Sequence, residues 1–256
     1  MPNSITEKIS VLIITLNEEE HLYSLLSDLD FADEIVIIDS FSTDKTAYIA
    51  KSFPKVTFLQ NKFENFSAQR NFAISQAKND WILFLDADEF LTAELKLEII
   101  ETLQNNQTYS AYFFERVFMF EKKILNYSGN QTDKIFRLFN KKFAKYDEKR
   151  LVHEKLIVEG KIGYLKNKLI HYSYASFNDY KEKIIFYGNF KAREKFIKQK
   201  KSNFFLQIFH PTYNFLYNYV IRLGILDGKK GIIICYLNAY CIYIRYRELN
   251  RLWKQN

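Results

Sequence analysis

Two aspartates bracket one alanine in Trp81-Ile82-Leu83-Phe84-Leu85-Asp86-Ala87-Asp88-Glu89, directly behind a run of apolar residues. Carboxylates at that spacing can hold a hard divalent cation, which completes its shell with substrate phosphates and water. The apolar run has the pattern of a central strand in a parallel sheet. Ligands of open α/β sheets bind beyond the carboxyl ends of such strands. Residue type and position together point to chemistry on a nucleotide-linked substrate.

Three other polar groups fall at matching places. Thr15-Leu16-Asn17-Glu18 ends the apolar run 9–15, and its polar groups either face a base or ribose or cap the next helix. Asp39-Ser40-Phe41-Ser42-Thr43-Asp44 ends the run 34–39. Asp39 can accept hydrogen bonds from a base NH or a ribose hydroxyl, and Ser42, Thr43 and Asp44 can cap the following helix. Arg70-Asn71 lies on the helix before Trp81; Arg70 either pairs with a phosphate or holds Asp86 in place.

These groups need strands to carry them. Runs 9–15, 34–39, 56–59 and 81–85 read as strands, with helices over 17–29, from the Ser42–Asp44 cap to about 52, and over 67–77. That alternation predicts βαβ units, and an α/β fold with a mostly parallel sheet flanked by helices. After a helix over 92–103, capped by Thr92, the pattern changes. Segments 111–120, 134–139, 155–158 and 168–171 read as strands of a mixed region. A long basic helix is expected from 177 to about 201, and an aromatic, basic helical stretch from 204 to the end. The expected organisation is a nucleotide-binding half over 1–110, an acceptor-binding half of the same domain over 111–176, and a basic helical tail over 177–256.

Composition narrows the class. In 256 residues, 7 Gly and 3 Pro argue against disorder and against a turn-rich all-β fold. Cys235 and Cys241 sit in an apolar stretch at no metal-ligand spacing and are expected to be reduced thiols. Residues 1–10 lack the layout of a signal peptide, and no apolar run reaches the roughly 18–20 residues that span a bilayer. A cytoplasmic location is therefore expected. Charge is uneven: residues 181–256 carry 15 Lys and Arg against 4 Asp and Glu, whereas the whole chain is only +7. A basic tail on a mildly acidic body suggests a polyanionic partner.

The four polar groups, in this order over residues 9–92, resemble family-2 glycosyltransferases of the GT-A fold. The second half carries Asp133-Lys134-Ile135-Phe136-Arg137, Leu151-Val152-His153-Glu154, His171-Tyr172-Ser173-Tyr174 and Leu223-Gly224-Ile225-Leu226-Asp227-Gly228-Lys229-Lys230-Gly231. Its layout is similar to the subgroup containing lipopolysaccharide core β-1,4-glucosyltransferases. The resemblance implies a nucleotide-sugar donor, with UDP-glucose as first choice, and Mn²⁺ or Mg²⁺ as cofactor. It implies a lipid-linked inner-core glycan as acceptor. Thr15, Asn17, Glu18, Asp39, Ser42, Arg70 and Asp86 would form the donor site, with Asp39 on the base and Asp86 on the ribose or metal. Asp88 would hold the metal.

Inverting transfer needs one base, and Glu154 is the candidate. A glutamate there departs in side-chain length from family members that use an aspartate. His153 either orders the loop or ligates metal if the backbone bends. His171 is read as a core or hinge histidine. Lys134 and Arg137 are candidates for binding phosphate. The basic, aromatic segments Lys181–Lys201 and Phe204–Trp253 suit the headgroup layer of an anionic membrane, which predicts a protein peripheral on the inner face of a bacterial inner membrane. Three alternatives compete with this reading. One is transfer onto another cell-surface glycan. Another, a sugar nucleotidyltransferase, lacks the Gly-rich loop it would need after the first strand. The third, a nucleic-acid-binding module, lacks a recognised motif, so no nucleic-acid partner is expected.

Overall fold

The computed structural model describes residues 7–105, 108–121, 123–129, 134–148, 155–174 and 176–255. The chain opens in strict alternation: β1 (Ile9–Thr15), α1 (Glu19–Ser27), β2 (Glu34–Asp39), α2 (Thr46–Lys51), β3 (Val56–Gln60), α3 (Phe66–Gln76) and β4 (Trp81–Asp86). There follow β5 (Glu89–Leu91), α4 (Ala93–Gln104), β6 (Ala111–Phe120), β7 (Lys123–Leu125), β8 (Lys134–Asn140), β9 (Ala144–Tyr146), β10 (Leu156–Val158), β11 (Ile162–Tyr164) and β12 (Leu169–Tyr174). Helices α5 (Phe177–Ile197), α6 (Phe204–Leu216) and α7 (Gly228–Lys254) complete the chain. A π-helical turn (Tyr217–Ile221) and a 3-10 turn (Gly224–Asp227) separate the last two. The chain forms two compact units: Met1–Arg116 with Lys134–His171, and Val117–Asp133 with Tyr172–Asn256.

In the first unit β3, β2, β1 and β4 lie side by side and parallel, with Thr15 opposite Asp39 and Ile14 opposite Asp86. Beyond β4 the sheet turns antiparallel, through β8 and β6, and β12 pairs antiparallel with β5. The expected α/β class with helices on a largely parallel first half is what forms. Period two divides the strand residues between two faces. Val11, Ile13, Ile35, Ile37, Leu83 and Leu85 pack with Leu22 and Leu25 of α1 and Leu95 and Ile99 of α4. Leu12, Val36, Ile38, Ile82 and Phe84 pack with Ala73 of α3. Covering both faces is why these strands read as unbroken apolar runs. Each fully buried Leu or Ile contributes roughly 1.5–3 kcal/mol.

Thr92 caps α4 as expected, accepting from Leu95 N at 3.1 Å. Asn65 does the same for α3 from Ala68 N at 2.9 Å. The expected cap of α2 differs. Lys45 occupies its N-cap position, and only Asp44 serves the helix end, accepting from Thr46 N at 2.9 Å. Ser42 turns to the loop after β1 instead. The strands β5, β7, β9 and β11 go beyond the sequence expectation; at three residues each they are too short to show an alternation.

The second unit is built on α5 and α7. Tyr180, Ile184, Ile234 and Leu237 form one core cluster with Phe120 and Leu125, and Ala192, Ile242, Tyr246 and Leu249 form another. The helical run expected from 204 onward is broken at 217–227, for a local reason. Leu223 is left-handed at φ 56°, and Asp227 is pinned. Its carboxylate accepts from Asn126 N at 3.0 Å, Tyr127 N at 3.1 Å and Ser128 Oγ at 2.7 Å. Gly231 lies in the first turn of α7, where a Cβ would stand 2.0 Å from the Gly224 carbonyl oxygen, so only glycine fits. Among the described residues no helix is long and apolar enough to cross a membrane.

Candidate active site

The strand order 3-2-1-4 puts the topological switch between β1 and β4, and ligands of such sheets bind beyond the carboxyl ends at that point. Register sets two of the predicted site residues, Thr15 and Asp39, opposite each other there, and Asp86 one residue short of that level, opposite Ile14.

The loops after β1 and β2 are zipped together by reciprocal hydrogen bonds. Asn17, left-handed at φ 57°, donates its amide to Ser42 Oγ at 2.8 Å and accepts from Thr43 N at 2.9 Å. Glu18 N donates to Thr46 Oγ1 at 2.8 Å. Asp39 is fully buried, and its carboxylate accepts from Thr15 Oγ1 at 3.0 Å, Ser42 N at 2.9 Å, Gln60 Nε2 at 3.3 Å and the Ser42 hydroxyl. About four acceptor sites exist on a carboxylate, so Asp39 organises this loop pair with the capacity it has. Leu16 and Phe41 stand exposed beside it, Phe41 in the left-handed region at φ 63°.

At the end of β4, Arg70 takes the second of its two readings. Its Nη2 donates to Asp86 Oδ1 at 2.7 Å, while its guanidinium lies over the rings of Phe84 at 4.6 Å and Tyr146 at 5.5 Å. Asn71 fastens Tyr146 in turn, exchanging hydrogen bonds with its backbone at 3.0 and 2.9 Å. The other oxygen of Asp86 is held by Arg137. Arg137 is buried, and it also grips Glu89 through Nε and Nη2, both at 2.7 Å. Arg137 is therefore no phosphate ligand: its charge is already spent on two carboxylates. Lys134, the other such candidate, is near Glu115 and over the Tyr164 ring. Glu89 accepts from Asp86 N at 3.1 Å and meets Arg116 Nη1 at 3.1 Å, so it shapes the turn that carries both aspartates. Burial alone would push the Asp86 carboxyl up, but the guanidiniums of Arg137 and Arg70 outweigh it and hold Asp86 well below the usual carboxylate range.

Asp88 has a different partner. His171 Nε2 stands 3.3 Å from Asp88 Oδ2, because β12 pairs with β5 in a register that sets His171 opposite Glu89. Burial lowers the affinity of the imidazole for a proton, yet its bond to Asp88 prevails and raises its pKa. Sequence reasoning reads this residue as a core or hinge histidine; the structure puts it on the metal candidate. The signal that could have found it is weak: a histidine in a short apolar segment long after the aspartates. Glu154 and His153 lie outside the described residues, between β9 and β10.

The side chains of Asp86, Asp88 and His171 retain 27%, 22% and 19% exposure. An oxygen and a nitrogen 3.3 Å apart match the ~3.0 Å edge of an octahedron with ~2.1 Å bonds. Asp88 and His171 thus fit a Mg²⁺- or Mn²⁺-sized ion, with Asp86 adjoining. Among the described residues no group of three or more His, Cys, Asp or Glu is placed to hold a metal ion by itself. A site of this kind needs ligands from a bound phosphate and water.

Residues 10–171 match the family model described as Glycosyl transferase family 2. An uncharacterized glycosyltransferase of Rickettsia typhi is 30% identical over 96% of this chain and 88% of its own length. The lipopolysaccharide core biosynthesis glycosyltransferase LpsC of Rhizobium meliloti is 27% identical over 93% of each chain. Among solved structures, glucosyl-3-phosphoglycerate synthase of Mycobacterium tuberculosis, crystallised with Mn²⁺, UDP and glucosyl-3-phosphoglycerate, is similar over 43% of this chain and 44% of its own. The identity there is 19% and the TM-score 0.37.

Proposed function

The chain belongs to glycosyl transferase family 2, and from that premise we propose an inverting hexosyltransferase that moves a sugar from a nucleotide donor onto a lipid-linked lipopolysaccharide or lipooligosaccharide inner-core acceptor. UDP-glucose is the donor we put first. The likeness to LpsC along the whole chain supports the acceptor class. One observation carries the reading. The polar ends of β1, β2 and β4 lie side by side at the carboxyl edge of the sheet, and Asp88 and His171 converge next to Asp86.

Each residue has a task in this scheme. The paired loops of Asn17 and Ser42 make the floor for base and ribose, and Thr15 keeps Asp39 oriented. Contact of Asp39 with the base requires exchange of one of its four present hydrogen bonds. The exposed ring of Phe41 is placed to stack on the base. Arg70 and Arg137 keep Asp86 anionic and aimed at the ribose. Asp88 and His171, with Asp86, would hold Mn²⁺ or Mg²⁺. When bound, the ion neutralises charge on the departing diphosphate. Glu154 takes the proton of the acceptor hydroxyl as that oxygen bonds to C1 and the bond from C1 to the diphosphate oxygen breaks. The reaction takes place at a cytoplasmic, anionic membrane surface where the acceptor is anchored.

Incubation with UDP-, GDP- and ADP-sugars, with Mn²⁺ or with EDTA, tests the scheme. Metal-dependent release of nucleoside diphosphate is expected with at least one donor, and loss of it in Asp88→Ala. Glu154→Gln should lower turnover by orders of magnitude with donor affinity nearly unchanged. Undiminished turnover in EDTA would end the metal reading, and a few-fold effect of Glu154→Gln would move the base elsewhere.

A further inference from the structure

A surface helix of a soluble domain turns its apolar stripe to the core and its polar face to water. Helix α6 does the reverse. Its inward face is Gln207, His210, Pro211 and Asn214. Gln207 Oε1 accepts from Asn250 at 3.1 Å, His210 Nδ1 sits 2.8 Å from the Tyr246 hydroxyl, and Pro211 is buried. Its outward stripe is Phe205, Phe209, Tyr213 and Leu216, three or four residues apart and all exposed. Phe205 stacks on Phe209 with centroids 3.9 Å apart, so the outer face is ordered by its own rings. The apolar surface begins at Phe204, 79% exposed. It runs on through the two turns with Val220, Ile221 (67%), Leu223, Ile225 and Leu226.

Charge names the occupant. No Asp or Glu occurs between Lys195 and Leu226. Exposed Lys200 and Lys201 stand before the apolar stretch and exposed Lys229 after it, with Arg222 within it. In a two-fold contact this patch would face itself, setting cations against cations. An anionic bilayer answers both features: acyl chains take the rings and headgroup phosphates take the lysines. We propose that residues 204–226 form a monotopic docking surface that lies in the plane of an anionic membrane. The apolar face enters about 5–10 Å into the boundary between headgroups and acyl chains. This deepens the membrane-surface reading above and rests on it, but not on the transfer chemistry. It also narrows the contact to one part of the segments Lys181–Lys201 and Phe204–Trp253 that the sequence suggested. Ile234, Leu237, Ile242, Tyr246 and Leu249 of α7 are buried in the core of the second unit, and only Ile232 and Tyr236 among its large apolar residues are exposed, with no continuous stripe along the helix.

The test is flotation of the full chain with vesicles of phosphatidylcholine alone or mixed with phosphatidylglycerol. Wild type should float with the anionic vesicles. Phe205→Gln/Phe209→Gln/Leu216→Gln should weaken that partition at least about tenfold. Lys200→Gln/Lys201→Gln/Lys229→Gln should weaken it most at low salt. All these side chains are exposed, so circular dichroism and metal-dependent donor turnover without vesicles should stay at wild-type level. Equal flotation of the apolar triple variant and wild type would overturn the proposal. So would a wild type that ignores vesicles but forms a dimer that the same variant dissolves. Turnover absent with every donor, while flotation persists, would sink the transferase scheme and leave this surface standing.

Discussion

Arg137 neutralises two carboxylates, Asp86 and Glu89, with almost no exposure to water. A buried pair of this kind adds little net stability, because desolvating both charges offsets their attraction, but removing one member leaves its partners stranded. Arg137→Met should therefore destabilise the protein by about 3–5 kcal/mol in denaturant unfolding. Combining it with Glu89→Leu should recover part of that loss. An unchanged unfolding midpoint for Arg137→Met would mean that the carboxylates find other partners. The site is half legible at this scale. Asp86 and Asp88 announce themselves, because acids that follow an apolar run at once mark the place where a buried strand meets its crevice. Arg70 is visible with two readings, of which the structure realises the grip on Asp86. Glu89 and His171 are not visible as members of the site, and Arg137 is visible only as a candidate for phosphate, not as the partner of Asp86 and Glu89. They arrive through pairings between residues far apart in the chain, and nothing local to them signals the meeting.

Among the elements, the four leading strands are legible to within a residue, since burial on both faces makes β1, β2 and β4 apolar blocks and the partly buried edge strand β3 keeps a short apolar run. The three-residue strands β5, β7, β9 and β11 are not, and β5 is the costly omission: it is the strand that receives β12 and so brings His171 to Asp88. The break between α6 and α7 also escapes periodicity, because apolar residues continue through it. It is held by Asp227. Asp227→Ala strands the amides of Asn126 and Tyr127 and the Ser128 hydroxyl, and should cost roughly 3 kcal/mol. Hydrogen exchange at Asn126 and Tyr127 should accelerate in step. Protection as strong as wild type at those amides would show that the turn is held by its glycines alone.

For the whole molecule, the sign and place of the charge are plain from composition: a basic C-terminal third on a mildly acidic remainder. A divalent ion whose shell is completed by diphosphate should bind well only together with the nucleotide. Mn²⁺ with UDP should raise the thermal midpoint by more than the sum of the two separate shifts, as linkage requires of ligands that bind only the folded state and favour each other. Strictly additive shifts would argue for separate sites, and the surplus should vanish in Asp88→Ala.

By itself the sequence determined the class of the fold, the ends of the strands that face the crevice, and the acids stationed there, because apolar blocks and their polar stops are local and periodic. It also determined that the stretch from 204 onward is helical, aromatic and basic. Only the tertiary structure decided which cations silence Asp86, which histidine meets Asp88, and that α6 turns its rings outward. Periodicity supplies a stripe but no direction. Direction and distant pairing come from sheet register and from what α7 presents to receive the helix.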